Sequence, residues 1–162
     1  MSKDKKKQVG ALGLVIALVV VLIGGVLFVG AVSGWFDDPK VTLDAEYYGE
    51  GAEFMELTAS EYEGLVEAKK SFVVMVDQNG CTTADRLREY ATRYMSETGI
   101  LVYRMMFAEV KESSLHEFVK YYPSMVIIDK GAVRGYLRAD SDEDAEMYND
   151  YDIFREWIGE YL

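Results

Sequence analysis

One thiol dominates the chemistry that this sequence offers. Cys81 is the single cysteine, and it stands between an apolar run, residues 72–76, and a stretch from Ala84 onwards whose apolar residues recur at helical spacing. A thiol at the start of a helix lies near unpaired backbone N–H groups and the positive end of the helix dipole, which favour the thiolate. Asp77 and Asp85 lie close in sequence and oppose that charge. The sequence therefore leaves the charge balance at Cys81 open.

A single thiol restricts the redox chemistry to part of the usual exchange. A thiolate can attack a disulfide and form a mixed disulfide, but a second thiol in the same site normally releases the product. Because the chain has no second cysteine, autonomous dithiol–disulfide turnover is excluded. A monothiol role and a purely structural role for Cys81 both remain open.

His116 is the only histidine, which limits metal and nucleophile chemistry. A zinc site made from one histidine and one distant cysteine lacks ligands. The pattern around His116 predicts a helix on which the imidazole falls between core positions, so we expect a solvated side chain rather than a Cys81–His116 pair. The sequence predicts neither a metal nor a cofactor.

Three aspartates with alternate spacing, Asp140, Asp142 and Asp144, suggest a calcium loop at first sight. A calcium loop of the EF-hand type needs Gly at its sixth position and Glu at its twelfth. This chain has Ala145 and Tyr151 there, so we expect a solvated acidic loop, with weak cation binding as the alternative.

An apolar segment near the N-terminus predicts a membrane anchor. The run from Val9 to Val32 contains 24 consecutive residues without a charge. At ~1.5 Å per residue it reaches ~36 Å, enough for a ~30 Å hydrocarbon core. Four lysines precede the run and two aspartates follow it, and excess lysine stays on the cytoplasmic side. A cleaved signal peptide is the alternative, although its apolar region usually spans only ~7–15 residues.

These flanks divide the chain into four parts. We expect a cytoplasmic basic tail over residues 1–8, a transmembrane helix over 9–33, a tether over 34–53 and one extracytoplasmic domain over 54–162. The part after the span carries 13 basic and 27 acidic residues, a net charge of −14. Such a surface disfavours nucleic acid as a partner.

The order of predicted elements defines the fold class. Strands are predicted near residues 54–57, 72–76, 100–107, 125–128 and 133–137, and helices over 58–70, from 84 to a Gly99 cap, over 114–121 and around 154–161. Thr58 with Glu61, and Ser114 with Glu117, have capping-box spacing. The order β-α-β-α-β-α-β-β-α predicts an α/β domain with a mixed sheet, preceded by one transmembrane helix.

Several tyrosines fall beside loops or element ends, where they can serve either the core or an interface. They are Tyr47, Tyr48, Tyr121, Tyr122, Tyr148 and Tyr151. Most of them are predicted to be core or rim residues.

With Cys81 at a strand–helix junction and Pro123 just before a strand, this order resembles the thioredoxin family. The segment from Tyr122 and Pro123 through an apolar strand to Lys130 and Gly131 is similar to the family's cis-proline loop and hairpin. The resemblance covers about two thirds of the chain. It implies a thioredoxin-like fold, a cis Tyr122–Pro123 bond, and contact between Pro123 and Cys81.

Departures from the family's motif bear on function. The family's Cys-x-x-Cys is Cys81-Thr82-Thr83-Ala84 here, Gly80 replaces the usual Trp, and Met75 stands where the family has a buried acid. The resemblance therefore implies a membrane-anchored, bacterial-type thioredoxin-like protein with a degenerate motif. We expect an interaction module for a protein or peptide client, or alternatively a monothiol redox protein acting through Cys81; the sequence leaves the oligomeric state open.

Overall fold

A computed structural model describes residues 39–162. Within that range, none of the helices has the length and apolar character needed to cross a bilayer. The predicted basic tail and transmembrane segment, residues 1–8 and 9–33, lie outside the described residues, and so does the start of the tether.

Five strands form one mixed sheet in the spatial order β1-β3-β2-β4-β5. The strands are β1 (Met55–Glu56), β2 (Phe72–Asp77), β3 (Val102–Met106), β4 (Ser124–Asp129) and β5 (Ala132–Tyr136). The helices are α1 (Ala59–Glu67), α2 (Thr82–Thr98), α3 (Phe107–Lys111) and α4 (Tyr151–Tyr161), with short 3-10 helices at Ala45–Tyr47, Ser114–Glu117 and Ala145–Tyr148. The predicted order of elements is confirmed.

Strand β2 is the central strand of the sheet. It pairs parallel with β3 and antiparallel with β4, and all six of its residues are buried. A strand covered on both faces needs a continuous apolar sequence, and residues 72–76 supply one. The end of β2 therefore holds the start of α2, and with it Cys81, in a fixed place.

The turn between β4 and β5 depends on two residues with positive φ, Lys130 at 51° and Gly131 at 79°. A Cβ on Gly131 would lie 2.4 Å from the carbonyl oxygen of Val66 in α1. Only glycine tolerates both the backbone conformation and this close approach. The hairpin is thereby fixed against α1.

The predicted start of α1 is confirmed. The Thr58 side chain accepts a hydrogen bond from the Glu61 N–H, and the Glu61 carboxylate accepts one from the Thr58 N–H at 2.9 Å. The hydrogen bonds that this carboxylate accepts from the Thr58 N–H and from the Thr58 hydroxyl lower the pKa of Glu61. Leu57 and Tyr62 are both buried, as expected for a hydrophobic staple around this cap.

The predicted helix over residues 114–121 is wrong. The chain forms the five-residue helix α3 directly after β3, and then only a 3-10 helix at Ser114–Glu117. The Ser114 N–H donates to the Glu63 carboxylate of α1 at 2.6 Å, and no capping box with Glu117 forms. The tertiary contact with Glu63 takes the place of the local cap.

The packed domain begins at Lys40 rather than at residue 54. Val41, Leu43 and Tyr47, from the segment predicted as a tether, are buried in the core. The Val41 N–H donates to the Tyr161 carbonyl of α4 at 2.6 Å. Isolated apolar residues in a polar stretch carry no periodicity, so the sequence pattern did not indicate this packing.

Candidate functional site

Cys81 is the residue that begins α2. Its backbone is extended, with φ −103° and ψ 116°, and its carbonyl accepts the Asp85 N–H at 3.0 Å. The thiol is free and partly exposed, and it makes no capping hydrogen bond. The helix starts at Thr82, two residues before the predicted start, so Cys81 lies closer to the helix N-terminus than its sequence pattern indicates.

A cleft brings Cys81 and Pro123 together. The Tyr122–Pro123 bond is cis, as the resemblance predicts. The cleft has a volume of about 100 Å³ and is lined by Cys81, Thr83, Tyr122, Pro123, Ala139 and Tyr148. The Tyr148 hydroxyl donates to the Pro123 carbonyl at 2.8 Å in a buried position and holds the proline loop. Burial, with the charges of Asp144 and Asp140, raises the pKa of this hydroxyl, so it remains a donor.

Comparisons with solved structures decide the fold. A point mutant of thioredoxin from Halobacterium salinarum superposes with a TM-score of 0.53 at 13% identity, over 70% of this chain and 94% of that chain. The thioredoxin pre-protein of Schistosoma mansoni gives 0.52 at 15% identity, over 68% and 99%. Mitochondrial thioredoxin 3 of Saccharomyces cerevisiae gives 0.50 at 13%, over 65% and 93%. The domain has a thioredoxin fold. No family model and no curated protein matches the sequence.

The thioredoxin fold is present without the second sulfur of a Cys-x-x-Cys motif. Ala84, where the resemblance would place that sulfur, lies in the first turn of α2 and is fully buried. Met75 is also fully buried within β2, where the resemblance would place an acid. Both positions therefore hold fully buried apolar side chains.

The carboxylate of Asp77, which the sequence places near Cys81, has partners that the sequence did not indicate. Asp77, at the end of β2, is fully buried. Its carboxylate accepts hydrogen bonds from Arg88 at 3.0 Å, from Arg104 at 2.7 Å and from the Gln78 N–H at 2.7 Å. We call Asp77, Arg88 and Arg104 the ion cluster. A charged residue that ends a wholly buried strand is the one signal that could have indicated it.

The ion cluster changes the expected electrostatics of Cys81. Arg88 also binds Asp85, with 2.9 Å between Nη1 and the carboxylate. Both acids that oppose a thiolate in the sequence are therefore neutralised by arginine in the fold. A paired charge produces a smaller net field than an isolated charge, so these acids are not the isolated anions that the sequence suggests.

Exposed aromatic side chains lie in and next to the cleft. Phe118, Tyr121 and Tyr122 have 46%, 56% and 40% of their surface exposed. The Tyr122 ring packs against the Phe107 ring, with 4.8 Å between ring centroids. Of the other tyrosines considered above, Tyr48 is exposed, whereas Tyr47, Tyr148 and Tyr151 are buried; the six divide evenly between core and surface.

The expectation of a solvated His116 is wrong. The imidazole is half-buried, packs edge-on against Phe107 at 6.1 Å, and has Nδ1 3.2 Å from the Val119 carbonyl. It does not line the cleft that contains Cys81. Its local contacts account for its position without a role in thiol chemistry.

The acidic loop is organised by one arginine. Asp144 accepts hydrogen bonds from the Arg138 N–H at 2.7 Å and from the Arg138 guanidinium at 3.1 Å, and Glu143 accepts another at 2.7 Å. These two carboxylates raise the pKa of Arg138. Asp140 and Asp142 remain exposed.

Proposed function

We propose that this chain is a membrane-anchored interaction module with a thioredoxin fold, which binds a peptide segment of a client at the cleft between Cys81 and Pro123. The observation that carries this proposal is the exposure of Tyr122 together with its unpaired backbone groups. Its side chain is 40% exposed, and its backbone N–H and C=O make no hydrogen bond within residues 39–162. Exposed, unpaired backbone groups beside a sheet are a template for an extended peptide.

The surroundings of Tyr122 favour binding over catalysis. The Tyr148 hydroxyl binds the Pro123 carbonyl, and the Phe107 ring packs against the Tyr122 ring. The groups that face a peptide are therefore ordered before a client arrives. Ordering a binding surface in advance reduces the entropic cost of association. The buried Ala84 provides no sulfur with which to complete a dithiol cycle.

The proposed location comes from the sequence. The uncharged run from Val9 to Val32 and the preceding lysines favour an uncleaved anchor with the domain outside the cytoplasm. Protease added to intact cells or spheroplasts should then degrade the domain. Protection until the cells are lysed would contradict this orientation.

Site-directed photo-crosslinking in cells tests the binding site. A photoreactive residue at Thr83, an exposed position that lines the cleft, should give a crosslinked client species. The same residue at Glu67, an exposed position on α1, is the control and should give none. The Thr83 product should decrease when Tyr122→Ala is added. Equal crosslinking from Thr83 and Glu67, or no effect of Tyr122→Ala, would contradict binding at the cleft.

A monothiol redox role is the second candidate, and the partly exposed, free thiol at the start of α2 favours it. The thiolate of Cys81 would attack a client disulfide, form a mixed disulfide and release one client thiolate. The thiolate of a small thiol would then attack the client sulfur of the mixed disulfide, which releases the Cys81 thiolate and leaves the small thiol in a disulfide with the client. Alkylation of Cys81 faster than that of free cysteine at the same pH supports this role, and slow alkylation contradicts it.

A further inference from the structure

The surface that continues from the cleft indicates which kind of peptide it accepts. We propose that the client segment carries arginine or lysine side chains, which bind in a groove formed by residues 118–121 and 136–140. We call this the aromatic groove. This inference rests on the proposed peptide-binding function and adds the chemistry of the ligand.

The aromatic groove is continuous with the cleft. It has a volume of about 150 Å³, and Ala139 lines both depressions. Leu137, which is fully buried, contributes to its lining, and Phe118 and Tyr121 contribute exposed rings. Three exposed aromatic side chains within five residues, at positions 118 to 122, are a concentration of apolar surface that a soluble domain usually covers.

The charges around the aromatic groove are predominantly negative. Its lining holds two cations: Lys120, which donates to the His116 carbonyl and keeps its charge, and Arg138, which is paired with Glu143 and Asp144. Asp140 and Asp142 are exposed and have no ion pair within residues 39–162. In and next to the groove, the four carboxylates of Asp140, Asp142, Glu143 and Asp144 therefore stand against two cations. The net negative charge favours a positively charged ligand.

Aromatic rings beside carboxylates suit a guanidinium or an ammonium group. A cation binds the face of an aromatic ring, while its N–H groups donate to a carboxylate. The domain uses this combination once in its own packing, where the Arg93 guanidinium carbon lies 3.8 Å from the Tyr151 ring centroid and Nε donates to Glu97 at 2.9 Å. Tyr121 and Asp140 line the aromatic groove, and the exposed Asp142 follows two residues later, so the groove and its edge offer the same two components to a ligand.

The test is a selection from a randomised display library of short peptides on the full-length chain in mild detergent. We expect the bound peptides to be enriched in arginine and lysine and depleted in aspartate and glutamate. The affinity of an enriched peptide should fall about three- to tenfold in Asp140→Asn with Asp142→Asn, and it should fall as salt increases. Glu67→Gln with Glu156→Gln, which removes two exposed charges elsewhere, is the matched control and should change the affinity less than about twofold.

The aromatic contribution has its own control. Tyr121→Ala should weaken the enriched peptide about tenfold, whereas Tyr48→Ala, which removes a similarly exposed ring at 50% exposure, should not. Binding that depends on Tyr121 and Tyr122 without any basic enrichment would overturn the inference and leave the proposed function in place. A library from which no peptide is enriched would overturn both.

Discussion

The ion cluster makes the loop that carries Cys81 dependent on one carboxylate. Asp77→Asn keeps the volume of the side chain and one acceptor oxygen, but it removes the charge that binds two arginines. Asp77 is fully buried, while the side chains of Arg88 and Arg104 are 30% and 24% exposed. The variant therefore leaves two partly buried guanidinium groups without their shared anion.

The magnitude follows from that geometry. Removing one member of a buried ion pair typically costs about 3–5 kcal/mol. Here the two arginines reach solvent, and they retain Asp85 at 2.9 Å and Glu56 at 3.2 Å as partners. We therefore expect the free energy of unfolding to fall by about 2–3 kcal/mol, slightly less than that range. Asp85→Asn removes a 59% exposed partner of the same Arg88 and should cost less than about 1 kcal/mol.

Urea denaturation of the full-length chain in mild detergent, followed by near-ultraviolet circular dichroism, measures both variants. With a slope of about 1–3 kcal/mol per molar urea, Asp77→Asn should lower the midpoint by about 0.7–3 M. Alkylation of Cys81 should also accelerate, because the segment before Cys81 loses the ion pairs of Asp77 with α2 and β3. Equal costs for Asp77→Asn and Asp85→Asn would refute the assignment of Asp77 as the centre of this cluster.

Three further changes test other parts of the structure. Ala84→Cys should form an internal disulfide with Cys81 under oxidising conditions. Mass spectrometry after alkylation should then show that neither thiol is alkylated. Alkylation of both thiols would show that these two positions cannot form the bond. Gly64→Ala should stabilise the domain by about 0.5–1 kcal/mol in the same urea assay, because Gly64 lies inside α1 and nothing lies within 4 Å of the added Cβ. A lower free energy of unfolding would contradict this expectation. Burial raises the pKa of Tyr62 to about 12, so its contribution to stability is complete below ~10 and is lost as the pH rises towards 12. Urea midpoints across that range should fall less steeply in Tyr62→Phe, and an unchanged slope would contradict the assignment.

The sequence by itself determined the parts of this protein that depend on local patterns. The continuous apolar run of β2 and the spacing of Thr58 and Glu61 are written in neighbouring residues, so the order of elements and the cap of α1 could be predicted. The family resemblance added the cis Tyr122–Pro123 bond and the meeting of Pro123 with Cys81, which no local pattern implies.

The tertiary structure decided the features whose partners are distant in the chain. Asp77 meets arginines 11 and 27 residues away, and this pairing turns an apparent obstacle to the thiolate into a neutralised cluster. Ser114 is held by Glu63, 51 residues earlier, and forms no capping box with Glu117. In each case a contact between distant residues took the place of the local interaction that the sequence indicated. The packing decides which partner lies close enough to complete the hydrogen bonds of a buried or half-buried polar group.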